Sequence, residues 1–392
     1  MTGWNGVMRS VELFTGCGGL AMGLAQSGFH HEAMVEFNDD AVETVKYNRR
    51  RGIKHVRSWP IECADVRTID WRKYVGIDLV AGGPPCQPFS IGGKHAGHGD
   101  TRDMWPEAVR AIREAMPRAF LFENVKGLAR PKFAEYLRWI TAYLRHPLII
   151  RRNGESHVDH LVRLEASDIR PSYRVRVMQV NAADFGAAQK RHRVMVVGMR
   201  SDVETPFELP VATHSRERLL WDQWVTGDYW RRHGLEQPSD HEIQRVHRTV
   251  VARLRRQEEL PCGQPWVTVR DALADLGEPN NQADHVLQPG ARSYPGHTGS
   301  PLDMPAKALK AGDHGVPGGE NMMVRDDGSV RYFTIREAAR LQGLPDTYRF
   351  PGCWTESMRQ LGNAVPVQLA EVVGNWIGGT LARGSSGEKE AA

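Results

Sequence analysis

Cysteine is scarce in this chain of 392 residues: five in all (Cys17, Cys63, Cys86, Cys262 and Cys353), odd in number, scattered, with no Cys-x-x-Cys pair. That count excludes a disulfide scaffold, argues against a cysteine zinc site, and points to a reducing compartment, the cytoplasm. No apolar run approaches the roughly 20 residues that cross a bilayer. Met1 to Ser10 has no signal-peptide core, so no membrane partner is expected. Internal repeats are absent, and the only low-complexity stretch is a flexible tail from Gly384-Ser385-Ser386-Gly387 onward. Net charge is small, at +4, so any polyanion partner must be read from where the charges lie and not from their sum. What is present is ordinary for a globular protein, with 41% hydrophobic and 25% charged residues, in a chain long enough for two cores.

The most informative segment is Gly82-Gly83-Pro84-Pro85-Cys86-Gln87-Pro88-Phe89-Ser90. It follows Ile77-Asp78-Leu79-Val80-Ala81, an apolar run that reads as a short buried strand. Pro84 and Pro85 fix φ and restrict the loop, and the glycines allow close approach of a ligand. A cysteine held in this way reads as a positioned nucleophile, with a buried structural thiol as the alternative. Around it, strands at Val11–Phe14, Ala33–Phe37, Ile77–Ala81 and Ala119–Glu123 alternate with helices at Leu20–Ser27, from a cap at Asp39 to Arg50, at Trp105–Met116 and at Pro131–Leu144. Two further strands, Val175–Val180 and Arg193–Val197, read as a hairpin. The alternation predicts an α/β fold with a mostly parallel, Rossmann-like sheet covered on both faces.

Phe14-Thr15-Gly16-Cys17-Gly18-Gly19-Leu20 separates the first strand from the first helix. Gly16, Gly18 and Ala21 satisfy a dinucleotide fingerprint, and Glu36, 20 residues beyond Gly16, is placed to accept ribose hydroxyls. A nicotinamide dehydrogenase therefore competes with an S-adenosylmethionine enzyme at this stage. Asp65 is placed to reach an adenine edge.

The ordered set Phe14-x-Gly16-x-Gly18, Glu36, Asp65, Pro84-Pro85-Cys86-Gln87, Glu123-Asn124-Val125, Gln189-x-Arg191-x-Arg193 and Gln360-x-Gly362-Asn363-x-Val365 resembles the DNA cytosine-C5 methyltransferases. The resemblance covers nearly the whole chain. It leaves out Ser201 to Val330, where such enzymes carry a variable target-recognition region. It implies that Cys86 adds to cytosine C6, that Glu123 holds the base edge with a carboxyl that is protonated or shares a proton, and that S-adenosylmethionine is the methyl donor. Arg193 is expected at the base carbonyl or beside the cysteine, Arg191 against Glu123 or a phosphate, and Gln87 and Asn124 around the nucleophile loop. Phe14, Gly16, Gly18, Gly19, Leu20, Glu36, Phe37, Asp65, Val66, Pro85, Asn363 and Val365 are implied for the cofactor pocket, and no metal. The glycine-rich loop Ser90–Gly99 is expected to close over DNA as the base is extruded.

The implied architecture is a catalytic domain over 1–200, an inserted, loop-rich recognition domain with its hinge over 201–356, a returning helix over 357–383 and a tail over 384–392. Arg231, Arg232, Arg245, Arg248, Arg253, Arg255 and Arg256 suggest phosphate contacts, and His285 to Arg325 a stretch that reads bases. The expected partner is double-stranded DNA, with a cognate restriction endonuclease as a candidate and a monomer as the assembly. An RNA cytosine methyltransferase of the same fold and an inactive DNA-binding regulator are the alternatives. The large variable region argues against the first, and intact Cys86 and Glu123 against the second.

Overall fold

A computed structural model describes residues 7–85, 103–295, 297–311 and 319–386. In chain order it begins β1 (Met8–Leu13), α1 (Gly19–Gln26), β2 (Phe29–Glu36), α2 (Asp39–Arg50), β3 (Ile61–Cys63) and β4 (Leu79–Gly82). It continues α3 (Trp105–Ala115), β5 (Ala119–Val125), α4 (Ala134–Arg145), α5 (His157–Glu165) and β6 (Tyr173–Asn181). After β7 (Gln189–Lys190) and β8 (His192–Arg200) come β9 (His214–Ser215), α6 (Arg216–Trp224), α7 (Asp228–Arg232), α8 (Arg245–Leu254), β10 (Gln264–Pro265) and α9 (Val269–Leu273). Then follow β11 (Ser300–Pro301), β12 (Ala306–Lys307), β13 (Met322–Val324), β14 (Val330–Tyr332), α10 (Ile335–Leu341), α11 (Trp354–Asn363) and α12 (Val367–Ser386).

The chain divides into two units. The first joins residues 1–180, 192–210 and 347–392. Its seven-stranded sheet has the order β3-β2-β1-β4-β5-β8-β6. Strands β1 to β5 pair in parallel and β8 runs antiparallel to β5. Every residue of β4 is buried, as a central parallel strand covered on both faces requires. Strand order reverses between β1 and β4, and crevices at such a reversal, outside the carboxyl ends of the strands, are where open α/β sheets take ligands. The loop after β1 and the Pro-Pro segment after β4 both leave the sheet at this point. Helix α2 is capped by Asn38, whose Oδ1 accepts from the Ala41 amide at 2.9 Å, and not by the predicted Asp39. Asp39 and Asp40 instead supply favourable charge to its first turn, and Arg49 and Arg50 to its last.

Helix α12 closes the unit against α1. The approach is so close that a Cβ on Gly23 would lie 2.5 Å from Ala370 Cβ. A distant part of the chain thus braces the first helix.

The second unit joins residues 181–191 and 211–346. It therefore starts inside the predicted catalytic span, gives residues 201–210 to the first unit, and ends before 356. The reason is local: β7 pairs in parallel with β12, Gln189 opposite Ala306, so the connection between β6 and β8 is claimed by the inserted unit. Its core gathers Leu219, Leu220, Trp224, Tyr229, Trp230, Val251 and Leu254 with Trp266 and Met304. Regular pieces are short. Arg270 ties two loops together by pairing with Asp303 and Asp326. Among the described residues, no helix is long and apolar enough to cross a membrane.

Candidate active site

At the carboxyl end of β1 the backbone turns through an unusual run of left-handed conformations. Phe14 has φ of 57°, Gly16 57° and Gly18 84°. Glycine tolerates this and phenylalanine does not, so Phe14 carries strain of the kind that gathers at ligand clamps. The loop is pinned from β2: the Gly16 and Asn38 amides donate to the two carboxylate oxygens of Glu36, each at 2.8 Å. A carboxylate has about four acceptor positions, so Glu36 keeps capacity for a ligand's hydroxyls. A Cβ on Gly16 would meet nothing within 4 Å, so one side of the loop is open. Beside it the buried Thr15 Oγ1 lacks a partner among the described residues, and Phe37 is 75% exposed. Vicinal hydroxyls over Glu36 and a flat ring on Phe37 fit this donor set.

The other predicted residues of this region divide. Gly19, Leu20 and Val365 come together: Leu20 is buried, and a Cβ on Gly19 would lie 2.4 Å from the Val365 carbonyl oxygen. Asn363, the last residue of α11, is exposed and takes no such part. Asp65 caps the turn that follows it, and the adjacent Arg67 side chain engages its carboxylate and lowers its pKa. The Val66 side chain is in the core, which leaves only its backbone for a ligand. Cys17 lies in the loop but is buried, and burial pushes its thiol up to about 12, so it is no nucleophile at neutral pH. Glu12 on β1 is 1% exposed, and among the described residues neither carboxylate oxygen has a hydrogen-bond partner. Burial raises its pKa well above the usual carboxylate range, the Ala21 amide offsets part of that, and the Glu36 charge adds to it.

The ends of β4 and β5 build the second part. Asn124 donates from Nδ2 to the Pro84 carbonyl at 3.1 Å, while its Oδ1 accepts from the Val125 amide. It therefore ties β5 to the segment entering the Pro-Pro loop. A Cβ on Gly83 would lie 3.6 Å from Glu123 Oε2, in ordinary van der Waals contact, so the backbone here passes beside the carboxylate. Glu123 is buried, and the Arg193 guanidinium reaches its Oε1 at 2.5 Å. The two residues sit near the ends of neighbouring strands, where β8 runs antiparallel to β5 with Arg193 opposite Val125. Pro85 is exposed. Cys86, Gln87 and the loop Ser90–Gly99 lie outside the described residues.

The arginine contacts differ from the sequence expectation. Gln189 lies on β7 and Arg193 on β8, and Arg191 falls in the break between the two strands. Arg191 is 1% exposed within the second unit, where its Nη1 donates to the Leu309 carbonyl at 3.1 Å. Arg193, not Arg191, meets Glu123.

Several of the arginines expected at phosphates make contacts within the unit. Arg253 pairs with Glu217, Arg255 with Asp240, Arg231 with Asp228 and Arg232 with Asp271. Arg248 donates to the carbonyls of Ile243 and His241. These side chains are engaged in holding the unit's loops. His285 is buried, with Nδ1 against Thr334 Oγ1 at 2.9 Å, and does not face a groove.

Sequence reasoning overlooked Trp59 and Tyr348. The Trp59 ring packs where a Gly18 side chain would go, and Tyr348 donates its hydroxyl to the Cys17 carbonyl at 2.7 Å. Neither stands in a spacing that would flag it.

A doubly wound sheet with a strained glycine loop after β1 and an acid ending β2 is the arrangement with which α/β proteins of this architecture take nucleotide cofactors. The comparisons narrow this. The sequence profile of the C-5 cytosine-specific DNA methylase family matches residues 8–147 and 148–379. This chain belongs to that family and is a DNA cytosine-5 methyltransferase; family and fold are those of S-adenosylmethionine-dependent enzymes. Similar curated proteins include the Type II methyltransferase M.NgoMIV of Neisseria gonorrhoeae, 29% identical over 378 residues, covering 94% of this chain and 96% of the relative. M.NaeI of Lentzea aerocolonigenes is 27% identical over 394 residues, covering 98% of this chain and 78% of the relative. Among solved structures, an E. coli prophage protein described as a DNA modification methyltransferase superposes with a TM-score of 0.57 at 20% identity, over 95% of this chain and 99% of that one, which supports the fold.

Proposed function

We propose that the protein methylates C5 of a cytosine within a specific duplex sequence by covalent catalysis from Cys86, in a modification role alongside a restriction endonuclease of the same specificity. One observation carries this reading: the buried Glu123 carboxylate stands at the end of β5 with Arg193 on one oxygen, Gly83 beside the other, and Asn124 bound to Pro84, two residues before Cys86. A nucleophile leaving β4 there enters the ground already occupied by the group that must hold the base.

Cytosine C5 is a poor nucleophile. Addition of the Cys86 thiolate to C6 turns C5 into an enamine carbon, while a proton delivered at N3 neutralises charge on the ring. Glu123 is the group for N3 and the exocyclic amine, and Arg193 fixes its rotamer; donors set in advance at developing charge are worth most in a site closed to water. S-adenosylmethionine supplies the electrophilic methyl group. After C5 has gained it and S-adenosylhomocysteine has left, the C5 proton passes to water, N3 returns its proton to Glu123, and expulsion of the Cys86 thiolate restores aromaticity. Glu36 would hold the ribose hydroxyls, Phe37 the adenine face, and the Phe14–Leu20 loop with Val365 the remainder. Because the target carbon is stacked within a duplex, the base must be extruded to reach Cys86. The second unit would read the target sequence, and the enzyme would act as a monomer in the cytoplasm.

The test is covalent capture on a duplex whose target cytosine is 5-fluorocytosine, since fluorine cannot leave as a proton. The adduct should form with S-adenosylmethionine and vanish in Cys86→Ala. Persistence of the adduct in that variant, or capture of transfer RNA but not duplex DNA, would overturn the reading.

A further inference from the structure

Most arginines of the second unit have carboxylate partners. Four other side chains in the same unit stand together without one. Lys190 and Lys307 are direct partners across the parallel β7–β12 ladder. Like charges opposite one another on paired strands destabilise the pair. Lys190 is half-buried; burial first, then the charges of Lys307 and Arg216, lower its pKa. Arg216 is the first residue of α6. His247 on α8 feels the same charges: burial, Arg216 and Lys190 all lower its pKa. It is 7% exposed, and its Nδ1 has no hydrogen-bonding partner among the described residues.

Sequence neighbours show that counter-charge was available to this unit. Arg218 pairs with Asp222, and Lys310 with Glu320. Among the described residues, none of Lys190, Lys307, Arg216 and His247 makes an ion pair. Lys307 finds only a neutral partner, donating from Nζ to Thr298 Oγ1 at 2.9 Å. A cluster of positive groups around an unsatisfied imidazole nitrogen costs folding energy, and a bound anion reverses that cost.

We infer that Lys190, Lys307, Arg216 and His247 form a site for one phosphodiester group of the DNA backbone. This deepens the reading of the protein as a DNA methyltransferase and rests on it. A phosphate oxygen accepts from the ammonium and guanidinium groups and from a protonated His247 Nδ1, and it supplies the missing negative charge. Such a contact fixes the register of the duplex on the unit and carries no base information.

The experiment compares the wild type with Lys190→Gln, Lys307→Gln and Arg216→Gln. Binding to a target and a non-target duplex is measured between 50 and 200 mM salt, and thermal melting without DNA is followed in parallel. Each variant should bind both duplexes more weakly, with a salt slope shallower by about 0.9, so that it loses about 3.5-fold less affinity than wild type across that range. Melting temperatures of the two lysine variants should equal or exceed that of the wild type, since repulsion is relieved. An unchanged slope overturns the inference, as does a slope change accompanied by a fall in melting temperature, which would make the cluster structural. Inorganic phosphate, added at constant ionic strength, is the second probe. A cluster-dependent rise in melting temperature with phosphate and no change in duplex slope would assign the site to a free anion and overturn the backbone assignment. The wild type's methylation of the target duplex is the reference arm. Its failure would sink the proposed function, whereas wild-type activity with unchanged variant slopes would sink only the phosphate site.

Discussion

Replacing Gly19 by alanine should separate cofactor binding from stability in a measurable way. The added Cβ would lie 2.4 Å from the Val365 carbonyl oxygen and 3.2 Å from Ala364 Cβ. Real Cβ atoms keep at least about 3 Å from such an oxygen, so the start of α1 or the segment before α12 must yield by roughly 0.6 Å or more. Neither is a flexible side chain. Overpacking of this sort costs about 1–3 kcal/mol, and alanine's better helix propensity returns up to about 1 kcal/mol. A net strain of about 1–2 kcal/mol remains. If the backbone holds its position, the strain lowers stability, and the melting temperature falls by about 2–8 °C for a unit of this size. If the loop moves to relieve it, binding of S-adenosylmethionine must undo the movement, and the dissociation constant rises by about 5- to 30-fold. Thermal melting and calorimetric titration of S-adenosylmethionine, on the same preparation, divide the strain between the two. If both the melting temperature and the cofactor affinity match the wild type, the packing argument for this loop is wrong.

Arg193→Ala should slow single-turnover methyl transfer by about 10²-fold, the usual cost of losing one positioned charged donor. Lysine at that position should recover only part of the rate, and a wild-type rate in Arg193→Ala would remove it from the site. Glu36→Ala frees the Gly16 and Asn38 amides and takes away a charged acceptor, so S-adenosylmethionine affinity should fall by about 1.5–3 kcal/mol, read by titration. Unchanged affinity would reduce Glu36 to a loop brace. Glu12→Gln should show its effect through pH. The native pKa of Glu12 lies above its unfolded value, so its contribution to stability is complete below the unfolded carboxylate range and is lost as pH rises toward the native value. The melting temperature of Glu12→Gln should therefore gain on the wild type between pH 5 and pH 8, and parallel curves would contradict the buried, protonated state.

The parts of the site that could be read in the sequence are those where backbone chemistry is local. Gly16 and Gly18 announce a loop of positive φ, Pro84 and Pro85 a stiff one, and β4 an apolar run with no polar face. Glu36 and Glu123 fall at strand ends because the apolar runs before them stop there. What stayed hidden depends on partners far along the chain. Arg191 and Arg193 look equivalent by alternation, but Arg191 falls in the break between β7 and β8 whereas Arg193 lies on β8. The arginines of α7 and α8 look free until Asp228, Asp240, Asp271 and Glu217 are brought to them. Asn48 clamps the backbone of Arg349 from both sides of its amide, across 301 residues, and no pattern in either segment foretells it.

The bracing of the first helix by the last sets a clock on synthesis. The Cys17 thiol meets the Gln360 carbonyl across 343 residues, and the glycine face of α1 waits the same way for α12. At translation speeds of about 5–20 residues per second, that gap corresponds to about 17–70 s during which the nascent cofactor loop has strands beneath it but no lid of helix behind it. The growing chain therefore lacks the packing behind its first helix until its final segment is released. An mRNA broken between the codons for Ser90 and Val367 yields a protein that has every residue of the Pro-Pro-Cys loop and no last helix to pack against the first.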